Sequence, residues 1–332
     1  MQNDGFWSDR NVFVTGASGF LGGWLLKSLI SKGANPICLV RDEVPKSMYY
    51  YDGLNSKCVT VRGRLEDLEL LKRALNDYNI SHVFHLGAQT QVLMANRYPP
   101  DTFMANIMGT WNMLEACRGS KQIEGIVVAS TDKAYGSQSK LPYNEETPME
   151  GEHPYDVSKS CTDLIARSYF KTYGLPVGIT RCGNFYGGGD LNFDRIVPGT
   201  IKSVLKGKRP VIRSDGKYIR DYFYIEDAAS AYITLGENVK QKEIMGEAFN
   251  FGNNDPKTVM EITELMSKLM GSKLKPDIRN ESSGEIRKQY LSSEKANRLL
   301  KWKPKYSLEE GLKRTIGWYT DFFKKNGLAK TV

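Results

Sequence analysis

Tyr155 and Lys159 stand four apart in this 332-residue chain, and they are the pair whose types and spacing most plainly carry chemistry. Pro154 precedes them, and proline favours the first turn of a helix, so both side chains share one helix face. An ammonium beside a phenol favours the phenolate, whose ordinary pKa is about 10. Lowering it by roughly three units takes about 4 kcal/mol of differential stabilisation. A tyrosine tuned in this way deprotonates an alcohol. The spacing alone is weak, because Y-x-x-x-K arises often by chance. Its weight comes from Thr131-Asp132-Lys133, about twenty residues upstream, where an apolar β-branched run ends. A hydroxyl, a carboxylate and an amine delivered by one strand supply a hydrogen-bond donor, an acid and a base. His85, set in another apolar strand, reads as a satisfied core histidine and not as a base.

The elements that must position these groups are legible upstream. Residues 11–15 form a short apolar strand, Gly16-Ala-Ser18-Gly19-Phe20-Leu21-Gly22 follows, and an amphipathic helix runs to about residue 31. Strand, glycine turn, helix is the context in which such glycines bind a pyrophosphate, with backbone N–H groups and a helix N-terminus facing it. The second strand, 36–40, ends in Arg41-Asp42 where a dinucleotide's adenosine ribose would lie. A carboxylate there selects NAD and an arginine accommodates NADP. Arg41 holds the tip in this register, so the expectation leans to NADP with NAD left open. Strands follow at 58–62, before Leu65, and at 82–86, before Gly87-Ala88-Gln89, whose small residues allow close backbone approach. A helix is expected over 101–118, with Asn106 facing the Tyr155 helix and holding its backbone or a water.

The alternation to residue 131 predicts an α/β fold with a doubly wound parallel sheet, which binds ligands beyond its strand C-termini. Gly16, Gly87 and Thr131 all fall there. After a sixth strand at 176–181 the rhythm stops. The expected division is a dinucleotide-binding part over 1–184, rejoined by later strands at about 222–252, and a smaller mixed α/β substrate part over 185–330. Candidate cofactor-binding residues are Gly16, Ser18, Gly19, Phe20, Leu21, Gly22, Arg41, Asp42, Leu65, Ala88, Asn106, Tyr155 and Lys159. Gln89, Asn184, Arg195, Arg213 and Arg220 are candidates for substrate, the arginines because a guanidinium forks onto phosphate.

Composition excludes several classes. The apolar fraction of 40% and charged fraction of 25% are those of a globular protein. A net charge of +8 suits an anionic ligand, but the basic residues are scattered, which argues against nucleic acid. The five cysteines are odd in number and lack C-x-x-C, so free thiols in a cytoplasmic, reducing setting are expected and no metal site is. No run approaches the roughly 18 apolar residues of a membrane span, and the N-terminus does not read as a signal peptide.

Gly16/Gly19/Gly22, Tyr155-x-x-x-Lys159, the tract 181–186 and the ending Leu308-Glu-Glu-Gly311-Leu312 together resemble the extended short-chain dehydrogenase/reductases over nearly the whole chain. The resemblance implies a Rossmann sheet, a tightly held NAD or NADP, a nucleotide-sugar substrate and a homodimer formed by the helices at 101–118 and 155–173. Thr131-Asp132-Lys133, Gly183-Asn184, Gly187-Gly188-Gly189-Asp190 and the tract 194–198 are similar to the CDP-glucose branch of the nucleotide-sugar 4,6-dehydratases. That branch implies roles. Tyr155 takes the proton of the sugar C4 hydroxyl while hydride leaves C4, Lys159 tunes Tyr155, and Thr131 bonds the reacting oxygen. Lys133, or a water it orders, removes the C5 proton, Asp132 protonates the leaving C6 hydroxyl, and hydride returns at C6. A 4-epimerase on the same fold and a non-catalytic dinucleotide-binding module are the competing readings.

Overall fold

The computed structural model describes residues 5–281 and 286–327. Residues 1–4, and the end of the expected substrate part at 328–330, lie outside them. The first half alternates: β1 (Asn11–Thr15), α1 (Phe20–Ser31), β2 (Asn35–Val40), a short α2 (Met48–Tyr51), β3 (Val59–Arg62), α3 (Leu68–Asp77), β4 (His82–His85). Then come α4 (Val92–Arg97), α5 (Pro99–Phe103), α6 (Gly109–Gly119), β5 (Gly125–Ala129), α7 (Pro154–Tyr173) and β6 (Val177–Cys182). The remainder is mixed: β7 (Asn184–Tyr186), α8 (Ile196–Leu205), β8 (Val211–Ile212), β9 (Ile219–Tyr224), α9 (Ile225–Asn238) and β10 (Ala248–Phe251). It closes with β11 (Pro256–Thr258), α10 (Val259–Leu269), β12 (Asp277–Ile278), β13 (Lys288–Gln289), α11 (Glu294–Leu300) and α12 (Leu308–Lys325).

Seven strands pair in the order β10-β6-β5-β4-β1-β2-β3, all parallel. The order reverses between β1 and β4, which places the ligand crevice beside the end of β1. Helices cover both faces of such a sheet, so its inner strands read as unbroken apolar runs: β4 and β6 are buried at every residue. A second, smaller sheet joins β7, β9, β11 and β13. The strand at 219–224 belongs to this second sheet, so of the region expected to rejoin the first only β10 adds a strand, beside β6. One core cluster runs from Val12 and Val14 through Phe223 and Phe251 to Trp302 and Leu312, so the two parts share an interior.

Helix ends follow their chemistry. Pro154 opens α7 and Gly174, at φ +68°, closes it in the left-handed region. Thr258 with Glu261 and Ser307 with Glu310 form capping boxes on α10 and α12. The single helix expected over 101–118 is instead α5, a π-turn over Met104–Met108, and α6. The widened turn leaves the Asn106 carbonyl to side chains: Thr110 Oγ1 donates to it at 2.6 Å and Thr162 Oγ1 at 3.0 Å. Such bulges recur at functional sites.

Candidate active site

The glycine turn is built for close backbone approach. Gly16 sits at φ +71°, and a Cβ there would lie 2.9 Å from Gly87 N. A Cβ at Gly22 would lie 2.2 Å from Gly16 O. No side chain caps α1 at Gly19 and no acidic residue occupies its first turn, so its positive end faces the crevice with nothing to neutralise it. These residues fit a dinucleotide's pyrophosphate. Leu65 packs beside Gly87, where an added Cβ would touch Leu65 Cδ1 at 3.0 Å, and Asn112 holds the Leu65 carbonyl at 3.1 Å, while Ala88 follows Gly87 in the chain. Ser18, Phe20 and Leu21 lie within the turn and first helical residues.

Thr131 caps a 3-10 turn over Asp132–Tyr135 and donates to Asp132 Oδ1 at 3.1 Å. The Tyr155 hydroxyl stands near enough for Thr131 and the charge of Asp132 to act on it. Strand end and helix start thus converge, and Thr131, Asp132 and Tyr155 stand together. Asp132 is 2% exposed. Burial raises its pKa to about 6, against the opposing pull of Lys133, Thr131 and Arg220. A carboxyl titrating that close to neutrality is suited to give up a proton near pH 7.

The expected tuning of Tyr155 by Lys159 is not what the geometry gives. Burial pushes the phenol well above its ordinary value, and the charge opposing that rise is Arg195. Lys159 is 5% exposed and donates its ammonium to the Ala129 carbonyl at the end of β5. Its own pKa falls to about 8 through burial. The i,i+4 spacing correctly puts both residues on one buried face, but the backbone carbonyl claims the amine.

Asn106 faces the Tyr155 helix as expected, but not as a cofactor ligand. Its amide is spent on protein: it accepts from Gln89 N at 2.7 Å and donates to Gln89 O at 3.1 Å and Ser158 Oγ at 2.8 Å. Asn106 therefore locks the Gln89 segment to α7 and does not present its amide to a cofactor. Ser158 and Thr162 share the inner face with Tyr155 and Lys159, a face readable in the sequence as i, i+3, i+4, i+7 and missed there.

The arginines separate. Arg195 is held at 3.2 Å by buried Asp190, so its head is braced toward the cleft. Arg213 pairs with Asp194 at 2.5 Å, both exposed. Arg220 is buried, donates to the carbonyls of Ile219 and Arg287, and faces Asp132 electrically, not an open phosphate site. Asn184 is half-buried at the start of β7. Arg41 pairs with Asp42 at 2.5 Å, both exposed at the sheet edge, beside an Arg62–Glu43 pair. Gln289, paired with Arg220 across β13 and β9, is fully buried with both amide atoms unpartnered among the described residues, and no sequence signal marked it.

A buried ion pair fixes α7 against β6. Arg181 forks onto Asp163 at 2.7 and 2.9 Å, with the Tyr135 hydroxyl, the Glu145 carbonyl and the Met149 sulfur taking its remaining donors. Both side chains are at most 1% exposed. Removing one partner strands the other charge, so Asp163→Ala is expected to cost about 3–5 kcal/mol in chemical denaturation. A loss below 1 kcal/mol would refute that account of how the Tyr155 helix is anchored.

A family model described as GDP-mannose 4,6 dehydratase matches residues 13–315. CDP-glucose 4,6-dehydratase of Salmonella typhimurium is 30% identical over 96% of this chain and 93% of its own length. The structure of dTDP-glucose 4,6-dehydratase from Bacillus anthracis in complex with NAD superposes with TM-score 0.84 at 28% identity, covering 94% of this chain and 97% of that one. UDP-glucose 4-epimerase of Thermotoga maritima superposes equally well, TM-score 0.86 at 29% identity, covering 94% and 99%. Fold and site together define an extended short-chain dehydrogenase/reductase. Within that class the chain belongs to the GDP-mannose 4,6 dehydratase family, and it is a nucleotide-sugar 4,6-dehydratase, a hydro-lyase that needs a nicotinamide dinucleotide.

Proposed function

We propose that the enzyme converts CDP-glucose to CDP-4-keto-6-deoxyglucose with NAD as its resident cofactor. The observation that carries the dehydratase chemistry is the buried Asp132, bonded by Thr131 and close enough to the Tyr155 hydroxyl for its charge to act there. An epimerase has no leaving group to protonate. Bound in the crevice, the nicotinamide supplies the acceptor and later the donor of hydride. Tyr155 takes the proton of the C4 hydroxyl while Thr131 bonds the same oxygen. Lys133 removes the C5 proton that the 4-ketone has acidified. Asp132 gives its proton to the departing C6 hydroxyl, so one water leaves across C5 and C6, after which the hydride would enter C6 and a proton return to C5. Each proton transfer of this kind contributes about 10²–10⁴-fold.

The Asp132-Lys133 pair and the Salmonella relative favour cytidine as the base. The pairing of Arg41 with Asp42, and of Arg62 with Glu43, commits the guanidinium groups that a 2′-phosphate would need, and this tips the balance from NADP to NAD. The relative from B. anthracis was solved with NAD. Incubation with CDP-, GDP-, UDP- and dTDP-glucose, read by mass spectrometry, tests the reading. Loss of one water from the CDP sugar is expected; a product of unchanged mass from every sugar overturns it.

A homodimer is proposed through α4 to α7. Among the described residues, seven of the thirteen exposed large apolar side chains fall there: Leu93, Tyr98, Phe103, Met104, Trp111, Leu164 and Tyr173. Clustered apolar exposure marks an interface. Leu164→Glu combined with Trp111→Glu is expected to halve the mass seen by light scattering; an unchanged mass rules this face out. Five free thiols support the cytoplasm as a reducing setting.

A further inference from the structure

A chain of buried hydrogen bonds joins the glycine turn to the Tyr155 helix, and His85 is its middle link. Thr15, at the end of β1, accepts from Leu86 N at 3.1 Å and Gly87 N at 2.9 Å. Its hydroxyl oxygen is then filled as an acceptor, and its one proton has His85 Nδ1, 3.0 Å away, as its partner. That makes Nδ1 the lone-pair nitrogen and puts the ring proton on Nε2. Nε2 lies 3.1 Å from Thr110 Oγ1, whose own proton goes to the Asn106 carbonyl at 2.6 Å. Each hydrogen has one direction in which to point, and the directions agree along the whole path.

We infer that His85 is a positioning residue that holds the Leu86–Ala88 cofactor wall in register with α6 and α7, acting as a neutral Nε2–H imidazole. A protonated ring would point a second N–H at a threonine oxygen already receiving two. Lys159, on α7, is the charge that faces the ring, while β1 and α6 present only hydroxyls. Burial and that ammonium hold the His85 pKa down, at about 3, so the link stays neutral over the working range. His85 touches neither substrate nor reacting atoms in this account. It fixes where the backbone N–H groups and Asn106 stand.

The inference rests on the dinucleotide reading of the crevice, and the test separates the two. NAD binding is followed by quenching of tryptophan fluorescence. His85→Leu and Thr110→Val are each expected to weaken it about tenfold, the worth of one good hydrogen bond, while His85→Gln, which can accept and donate in the same sense, recovers it. Wild-type protein that binds neither NAD nor NADP overturns the cofactor reading itself. Binding by folded His85→Leu and Thr110→Val within twofold of wild type overturns the inference. Should His85→Leu fail to fold, Thr110→Val and the ring's ¹⁵N spectrum decide. An Nε2–H tautomer unchanged from pH 5 to 8 supports the relay, and an Nδ1–H tautomer or an imidazolium refutes it.

Discussion

Replacing Tyr155 by phenylalanine is expected to lower kcat by about 10²–10⁴-fold while leaving nucleotide-sugar affinity and melting temperature nearly unchanged. The ring is 9% exposed and packed at the start of α7, so the phenyl group keeps the shape. Only the hydroxyl is lost, and with it the group that lies near Thr131 in the field of Asp132 and Arg195. Burial holds that hydroxyl protonated in the structure, which means the field around it has work to do before it serves as a base. Arg195, braced by Asp190, supplies part of that field, and the positive nicotinamide adds to it when bound. The prediction is checked by steady-state kinetics beside calorimetric binding. A Tyr155→Phe enzyme retaining a tenth of wild-type turnover would remove the phenol from the mechanism.

The sequence revealed what depends on local pattern and hid what depends on competition for partners. Strand, glycine turn and helix over 11–31 follow from period and steric demand, and the structure sets Gly16 against Gly87 for those reasons. The shared face of Tyr155 and Lys159 follows from helical spacing. Which partner each polar group takes does not. Lys159 is claimed by a carbonyl thirty residues away in the chain, and Asn106 by a loop and a hydroxyl brought together only by folding. Arg220 is buried on β9, donates to the Ile219 and Arg287 carbonyls, and its charge reaches Asp132, none of which local pattern marks. The π-turn at 104–108 has no period of its own, and one of the two hydroxyls that take its Asn106 carbonyl, Thr162, lies more than fifty residues downstream. His85 was read correctly as a satisfied buried histidine, but its partners Thr15 and Thr110 sit on other elements.

Asp132→Asn should trade activity for stability. A carboxyl whose folded pKa is raised, here from 3.8 to about 6 by burial, stabilises the fold in its protonated form. That contribution is complete below pH 3.8 and is lost as pH rises through about 6, because the unfolded chain ionises more readily. Asparagine cannot ionise, so the variant should match wild type near pH 4 and exceed it at pH 7. The displacement of the pKa bounds the gain at about 3 kcal/mol. Turnover moves the other way. Without a proton for the C6 hydroxyl, water loss should slow by about 10²–10⁴-fold. In the proposed mechanism, removal of the C5 proton falls to Lys133 and does not need Asp132. In deuterium oxide the variant should therefore return sugar nucleotide carrying one deuterium and its oxygen intact. Denaturation at the two pH values and mass spectrometry of the recovered sugar read both halves of the trade. Wild-type rates of water release would show that some other group protonates the leaving oxygen. A neutral-pH stability no greater than wild type would show that the buried carboxylate costs the fold nothing, and both results together would make Asp132 an ordinary member of the turn that Thr131 caps.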